Sequence, residues 1–237
     1  MNPRVVWHDV ECGRYVADLA LWRELAAATG GPVLEVGAGT GRVALDLARA
    51  GHTVTALDRD AELLAELRER AAAAGVEVET LVADASAFDL AGRDFALITV
   101  PMQTIQLLAD RPGFFAGARR ALAPGGLIAL ALAAETEPFE DPLDLPDPDR
   151  AECAGWRFVS QPVAIRVGGG TMRIERVREL VAPDGARSAA DDVVELTILT
   201  AEQLGAEAAP YGLRLEPSRD IPPTADHVGS EVVLLRG

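Results

Sequence analysis

Between residues 33 and about 134, short apolar runs alternate with helical stretches, and this rhythm constrains the fold more than any other feature of the chain. The run Val33–Val36 is followed by "TGRVALDLARAG", a helix stopped by Gly51. "HTVTALD" is a second strand. "RDAELLAELRERAAAAG" is a second helix, with Leu63, Leu64, Leu67 and Ala71 on one face and Glu66 four positions before Arg70. "VEVETLVAD", "FALITV" and "GGLIALAL" are further strands, the last two separated by a helix over "RPGFFAGARRALAPGG". Strands that alternate with helices lie parallel and are joined by helical crossovers, so a doubly wound α/β sheet is expected. Several of the strands are almost continuously apolar, as strands covered on both faces are.

Outside this core the pattern changes. Upstream, "YVADLALWRELAAAT" places Tyr15, Leu19, Trp22 and Ala26 on one helical stripe ending at Gly30-Gly31. Downstream, "ETEPFEDPLDLPDPD" (135–149) holds seven acids and four prolines and reads as an acidic loop. "WRFVSQPVAIRV", "TMRIERVREL" and "DDVVELTIL" follow, with turn residues at 168–170 and 182–185, and read as an antiparallel meander. Thr200 with Gln203 gives a capping box for "TAEQLGAEAAPYG", and two last strands, "LRLEPSRDI" and "EVVLLRG", complete the chain. A single domain is expected over 1–237: an N-terminal lid region (1–31), a core (32–134), the acidic loop and meander (135–199), and a last helix with two core strands (200–237).

In an open parallel sheet, ligands bind beyond the carboxyl ends of the strands, where strand order reverses. The turn after the first strand is that place, and it reads "VLEVGAGTGR". Gly37, Gly39 and Gly41 let something approach the main chain; it is either a ligand or a neighbouring helix. The spacing G-x-G-x-G is not the G-x-G-x-x-G of a dinucleotide site, and no Lys follows to make a phosphate loop. Glu35, two residues ahead, would repel a pyrophosphate and suits a cationic ligand. Asp58 ends the second strand, where a carboxylate takes ribose hydroxyls or caps the next helix. Asp84 ends the third strand, before Ala85 and Ser86, where it reads an amino edge or caps a helix.

"VLEVGAGTGR", Asp58, "VADAS" and "FALITV...LAPGG", taken in order, resemble the motif series of the class I S-adenosylmethionine-dependent methyltransferases over about residues 15–134. The resemblance implies a Rossmann-like, seven-stranded, mostly parallel sheet with its last strand antiparallel, the meander being inserted after strand 5. It implies that Glu35 and the turn Gly37, Ala38, Gly39, Thr40 and Gly41 hold the methionine end of S-adenosylmethionine. Asp58 would take the ribose, with Arg59 beside the adenine, and Asp84, Ala85 and Ser86 would take the adenine edge. Thr99 to Gln103 (Thr99, Val100, Pro101, Met102 and Gln103) would border the transferable methyl, and Tyr15 resembles the lid residues of small-molecule members. The meander would be a substrate cover or the surface of a homodimer. The implied product is S-adenosylhomocysteine.

The formal net charge of -15 repels polyanions, which argues against nucleic acid and anionic membrane as partners. No apolar run has the length of a membrane span, and the N-terminus lacks a signal-peptide core, so a cytoplasmic protein is expected. Cys12 and Cys153 are expected to be free thiols, and the spacing of His8, His52 and His227 argues against a metal site. "TVPMQT" after the fourth strand lacks the Asp/Asn-Pro-Pro-aromatic turn that methyltransferases of nucleic-acid bases share, which favours a small-molecule acceptor. Its nucleophile is an oxygen, nitrogen or carbon atom. His8, Tyr15 and His227 are the base candidates, each with a surface or packing role as the alternative; Gln103 and Gln106 are candidates for orienting the acceptor. Two rival functions share these motifs: a cyclase-type catalyst using the same cofactor without methylation, and a non-enzymatic binding or scaffold module.

Overall fold

The computed structural model describes residues 1–133, 138, 145–224 and 228–237. Most of the acidic stretch 135–149 and one base candidate, His227, lie outside the described residues. The chain divides into two compact units, Met1–Tyr15 with Glu135–Ile198, and Val16–Ala134 with Leu199–Gly237. In chain order the elements are α1 (Pro3–Cys12), α2 (Leu19–Thr29), β1 (Val33–Val36), α3 (Arg42–Arg49), β2 (Val54–Asp58), α4 (Ala61–Ala74), β3 (Glu79–Val82), β4 (Phe95–Val100), α5 (Thr104–Leu107), α6 (Arg111–Ala121) and β5 (Leu122–Ala133). They continue with β6 (Asp149–Cys153), β7 (Trp156–Gly168), β8 (Thr171–Val181), β9 (Arg187–Thr197), α7 (Ala201–Ala208), β10 (Arg214–Ile221) and β11 (Ser230–Arg236).

The larger unit is the expected α/β sheet. Its seven strands run in the order β10-β11-β5-β4-β1-β2-β3. Strands β1 to β5 pair in parallel, while β11 is antiparallel to both β5 and β10. Strand order therefore reverses between β1 and β4. The helices start and stop where local chemistry dictates. Asp60 accepts hydrogen bonds from the Glu62 and Leu63 amides at the head of α4, and Gly75 ends that helix in the left-handed region. Thr200 and Gln203 form the expected reciprocal capping box on α7. One face of the sheet is closed by Phe114, Phe115, Ala118 and Ala121 of α6 and Leu204 of α7, packed over Leu34, Ile98, Ile128 and Val233. Each such large side chain taken fully out of water contributes about 1.5–3 kcal/mol.

Three local expectations change. The helix placed over "YVADLALWRELAAAT" starts only at Leu19, and Tyr15 precedes it. A separate helix, α1, precedes both, started by Asn2, whose side chain accepts from the Arg4 amide, with Pro3 in the first turn. The crossover from β3 to β4 (83–94) contains no helix; Phe88, 3% exposed, fills the space under it. Finally, β5 begins at Leu122 rather than after the Pro124-Gly125-Gly126 turn, which is absorbed as an irregularity in its pairing with β4.

The smaller unit is a four-stranded antiparallel sheet, β6-β7-β8-β9, one strand more than the meander read from the sequence, with α1 against it. Pro162 lies in β7, an inner strand, and is accommodated where the register with β8 shifts between Pro162 and Ala164. On the face under α1, Trp7 meets Phe158 edge to face at 5.0 Å. Ser160 and Arg178 are cross-strand partners, and both bind Glu11 of α1. The Ser160 hydroxyl donates at 2.8 Å, and Arg178 donates through Nε at 2.8 Å and Nη2 at 2.6 Å. Arg178 also pairs with Asp192 and lies 5.5 Å from the centre of the Trp7 ring. Burial opposes ionisation of Glu11, but the hydrogen bonds and charge of Arg178, the Ser160 hydroxyl and the charge of Arg176 outweigh it and hold the carboxyl below its ordinary range.

Replacing Arg178 by Met strands Glu11 in this environment. Urea denaturation of the variant is expected to show a loss of about 3 kcal/mol. Adding Glu11→Gln is expected to recover part of that loss, a non-additivity that an independent surface pair would not produce.

Candidate functional site

The β1/β4 reversal brings four loops of the larger unit to the carboxyl end of its sheet. After β1 the chain turns through Gly37–Gly41. The Gly37 and Ala38 amides donate to the Leu57 carbonyl, and the Gly39 amide donates to Asp58 Oδ2 at 2.8 Å. Gly37 has φ 77°, and a Cβ there would lie 2.6 Å from Thr104 Cγ2. Gly41 has φ 89°, and a Cβ there would lie 2.5 Å from Leu67 Cγ on α4. Both glycines are thus required by neighbours within the protein. The open question of what presses on this turn is answered, at these two positions, by Thr104 and Leu67.

The carboxylates carry the stronger signal. Glu35, on β1, is 3% exposed, and its Oε2 has no hydrogen-bond partner among the described residues. The Ala44 amide in the first turn of α3 faces the same carboxyl. Burial pushes its pKa up to about 8; the Arg42 charge and the Ala44 amide work against this, and Asp18 and Asp58 reinforce it. Arg42 is already committed, because its two terminal nitrogens bind Asp18, with Nη2–Oδ2 at 2.7 Å. Asp18 is 1% exposed and also accepts from the Trp22 indole at 2.8 Å. Two carboxylates, Asp18 and Glu35, therefore face one guanidinium, and Asp58 adds its charge on the side of Glu35. Neither Asp18 nor Arg42 stood out in the sequence. The available signals were an acid four residues before a buried Trp and an Arg closing "GTGR".

Asp58 ends β2 as expected. Its Oδ1 accepts from the Asp60 amide at 2.9 Å and its Oδ2 from Gly39, so it ties the β2 end to the glycine turn. The helix cap is Asp60, not Asp58. Two of the roughly four acceptor positions of the Asp58 carboxylate are taken by these amides. Arg59 is exposed beside it. Asp84 lies two residues beyond β3, is exposed, and accepts from the Ser86 amide at 2.8 Å in a local turn, with no helix to cap. Ala85 and Ser86 are half-buried in that turn.

At the end of β4, Thr99 and Val100 are fully buried; after it Pro101 is buried, while Met102 and Gln103 are partly accessible. Met102 and Gln103 are consecutive left-handed residues, with φ 48° and 60°. Non-glycine residues adopt that conformation only when the surroundings impose it. The surroundings are specific here: the Thr104 hydroxyl donates to the Pro101 carbonyl at 2.9 Å, and Gln106 Oε1 accepts from the Ala133 amide at 2.8 Å. Gln106 is 4% exposed, so it anchors α5 to the end of β5. Ala38 and Thr40 are buried in the first turn. His8, on α1, and Tyr15, 6% exposed, belong to the smaller unit. No group of three or more His, Cys, Asp or Glu residues able to hold a metal ion occurs among the described residues.

Residues 33–126 match a family model described as a methyltransferase domain. Solved structures share the fold across nearly the whole chain. The sugar N-methyltransferase KedS8 from a Streptoalloteichus species superposes with a TM-score of 0.73 at 20% identity, covering 98% of this chain and 92% of its own. CalS10, an amino pentose methyltransferase from Micromonospora echinaspora with S-adenosylmethionine bound, gives 0.67 at 22% identity, over 98% and 97%. The glycopeptide N-methyltransferase MtfA, complexed with S-adenosylhomocysteine, gives 0.63 at 25% identity, over 92% and 86%.

Two stability measurements test this reading of the turn. Gly41→Ala forces a left-handed alanine against Leu67 and is expected to cost about 2–4 kcal/mol in denaturant unfolding. The second concerns Glu35, whose folded pKa is raised above its ordinary 4.5. Its contribution to stability is complete below that ordinary value and is lost as pH rises through the folded value. Between about pH 5 and 8 the unliganded protein should lose about 1.4 kcal/mol per pH unit from this group. Glu35→Gln should flatten that decline, as read by melting temperature against pH.

Proposed function

We propose, for a chain whose core is a class I S-adenosylmethionine-dependent methyltransferase domain, that it transfers a methyl group from S-adenosylmethionine to an amine of a small-molecule acceptor of the amino-sugar kind. The observation that carries the first half is the excess of carboxylate over guanidinium at the carboxyl ends of β1 and β2. A buried carboxyl whose Oε2 lacks a hydrogen-bond partner among the described residues, with the charges of Asp18 and Asp58 near it, suits a ligand with positive charge. The second half is supported by the sugar and glycopeptide methyltransferases KedS8, CalS10 and MtfA and by the net charge of -15, which disfavours a nucleic-acid acceptor.

In this reading Glu35 and the Gly37–Gly41 turn take the methionine end, Asp58 takes the ribose hydroxyls, and Asp84 with Ala85 and Ser86 takes the adenine edge. S-adenosylmethionine supplies a sulfonium methyl whose leaving group is a neutral thioether. The chain's own task is to orient and to exclude water. Such orientation lowers a barrier by about 7–11 kcal/mol. The fixed turn Pro101–Thr104, clamped through Gln106, is suited to border the acceptor, and the partly accessible Met102 and Gln103 are its contact residues. An amine that arrives unprotonated needs no base, so the reading places no demand on His8 or His227.

Calorimetry with S-adenosylmethionine tests the donor. Saturable binding is expected, and Asp58→Asn should weaken it about ten- to a hundredfold by removing charge from the hydrogen bonds to ribose. Absence of binding by the native chain at millimolar nucleoside would end the proposal. With an amino-sugar panel as acceptor, mass spectrometry should find products heavier by about 14 mass units, one CH₂; donor turnover without that gain would refute the methyl transfer.

A further inference from the structure

Glu35 raises a problem of charge that the proposed donor solves. The groups facing its carboxyl are Arg42 and the Ala44 amide from α3, Asp18 from the start of α2, and Asp58 from the end of β2; its neighbours across β1 are the uncharged Ala56 and Thr99. Arg42 is engaged through both terminal nitrogens by Asp18. Glu35 is 97% shielded by the measure of its 3% exposure, with Oε2 unpartnered among the described residues. Among the described residues, an ionised carboxylate there has no cation beyond the guanidinium that Asp18 already holds. A neutral carboxyl there costs far less to bury.

Resting on the donor reading above, we propose that Glu35 is a ligand-gated counter-ion: protonated while no cation is near, and ionised, with release of its proton to solvent, when the α-ammonium group of the methionine moiety enters the cleft. The balance is one carboxylic acid and one ammonium on the left, and one carboxylate–ammonium pair and one proton in the buffer on the right. A positive charge within about 4–6 Å is sufficient to favour the ionised form. The site therefore recognises the amino-acid end of the nucleoside by a charge that exists only in the complex. The same device predicts that affinity is linked to pH. Below the point at which Glu35 ionises unaided, binding must displace a proton, so affinity should rise about tenfold per pH unit between about pH 6 and 8 and then level off.

The test needs no acceptor and no turnover. S-adenosylhomocysteine carries the ammonium on a neutral thioether, whereas 5′-methylthioadenosine keeps the nucleoside and thioether and lacks the amino-acid end. Titration of each into the full chain near pH 7, in buffers of different ionisation enthalpy, counts protons. S-adenosylhomocysteine is expected to release close to one proton per molecule bound, and 5′-methylthioadenosine none. Glu35→Gln should abolish the release and the pH dependence of the affinity. Binding of S-adenosylhomocysteine with no proton released, or equal release by both ligands, overturns the proposal and leaves the donor assignment standing. Failure of S-adenosylhomocysteine to bind the native chain overturns both. If Glu35→Gln does not fold, the comparison of the two ligands on the native chain decides alone.

Discussion

The buried pair of Asp18 and Arg42 sets the terms for everything around the β1 turn. Asp18 stands immediately before α2 and holds the Trp22 indole on its own helix, while Arg42 opens α3. Their two-point contact fixes the start of one helix against the start of the other. It also consumes the cation that would otherwise neutralise Glu35. Breaking such a pair leaves a charge with no water and no partner, so neither residue can be exchanged alone without a large loss. The shape of the turn and its electrostatic character therefore have one origin.

The glycine turn gains its shape from two directions. Leu67 of α4 occupies the space a Cβ on Gly41 would need, and Thr104 of α5 occupies that of Gly37. Thr104 is also the residue whose hydroxyl closes the turn after β4. The loops on the two sides of the strand-order reversal are interlocked in this way, and the left-handed pair Met102 and Gln103 lies in the segment between Thr104 and the end of β4. Strain of that kind persists only where packing and hydrogen bonds over-determine it. Gln106, buried and bonded to the Ala133 amide, is one of those determinants. A glycine series of this spacing reports the tightness of the joint.

The sheet was legible because its signals are local. Apolar runs, capping residues such as Thr200 with Gln203, and the stop at Gly75 act within a few residues of themselves. Glu35 and Asp58 stood out because strand ends are visible in the same pattern. What escaped the sequence depends on contacts distant along the chain. Nothing near Arg42 announces that it is held by Asp18, 24 residues earlier. Gln106 looks like a solvated helical residue until β5 presents Ala133 beside it. β6 escaped because "DRAEC" has little strand propensity; its pairing with β7 supplies what its composition lacks. Asp58 precedes α4 by three residues and so resembles a helix cap in the sequence, but Asp60 takes that role, and Asp58 turns back to Gly39.

Glu11 and Glu35 form an internal comparison. Glu11 is partly buried and Glu35 buried, and in both desolvation is the largest single influence on the proton. Around Glu11 the chain supplies Arg178 through two nitrogens, the Ser160 hydroxyl and the nearby charge of Arg176, and the carboxyl stays ionised. Around Glu35 it supplies one guanidinium already bound elsewhere, one amide, and two further acids, and the carboxyl holds its proton. The same sequence therefore neutralises a buried acid where the acid serves packing. It withholds the counter-charge at the mouth of the sheet, where a ligand can provide it. Under the proposed donor reading, a cleft built this way folds without an ionised group trapped in it, because the charge would develop only as the cation arrives. Under that reading discrimination falls on the ligand's ammonium group, since a neutral nucleoside of the same shape offers nothing for the carboxyl to ionise against.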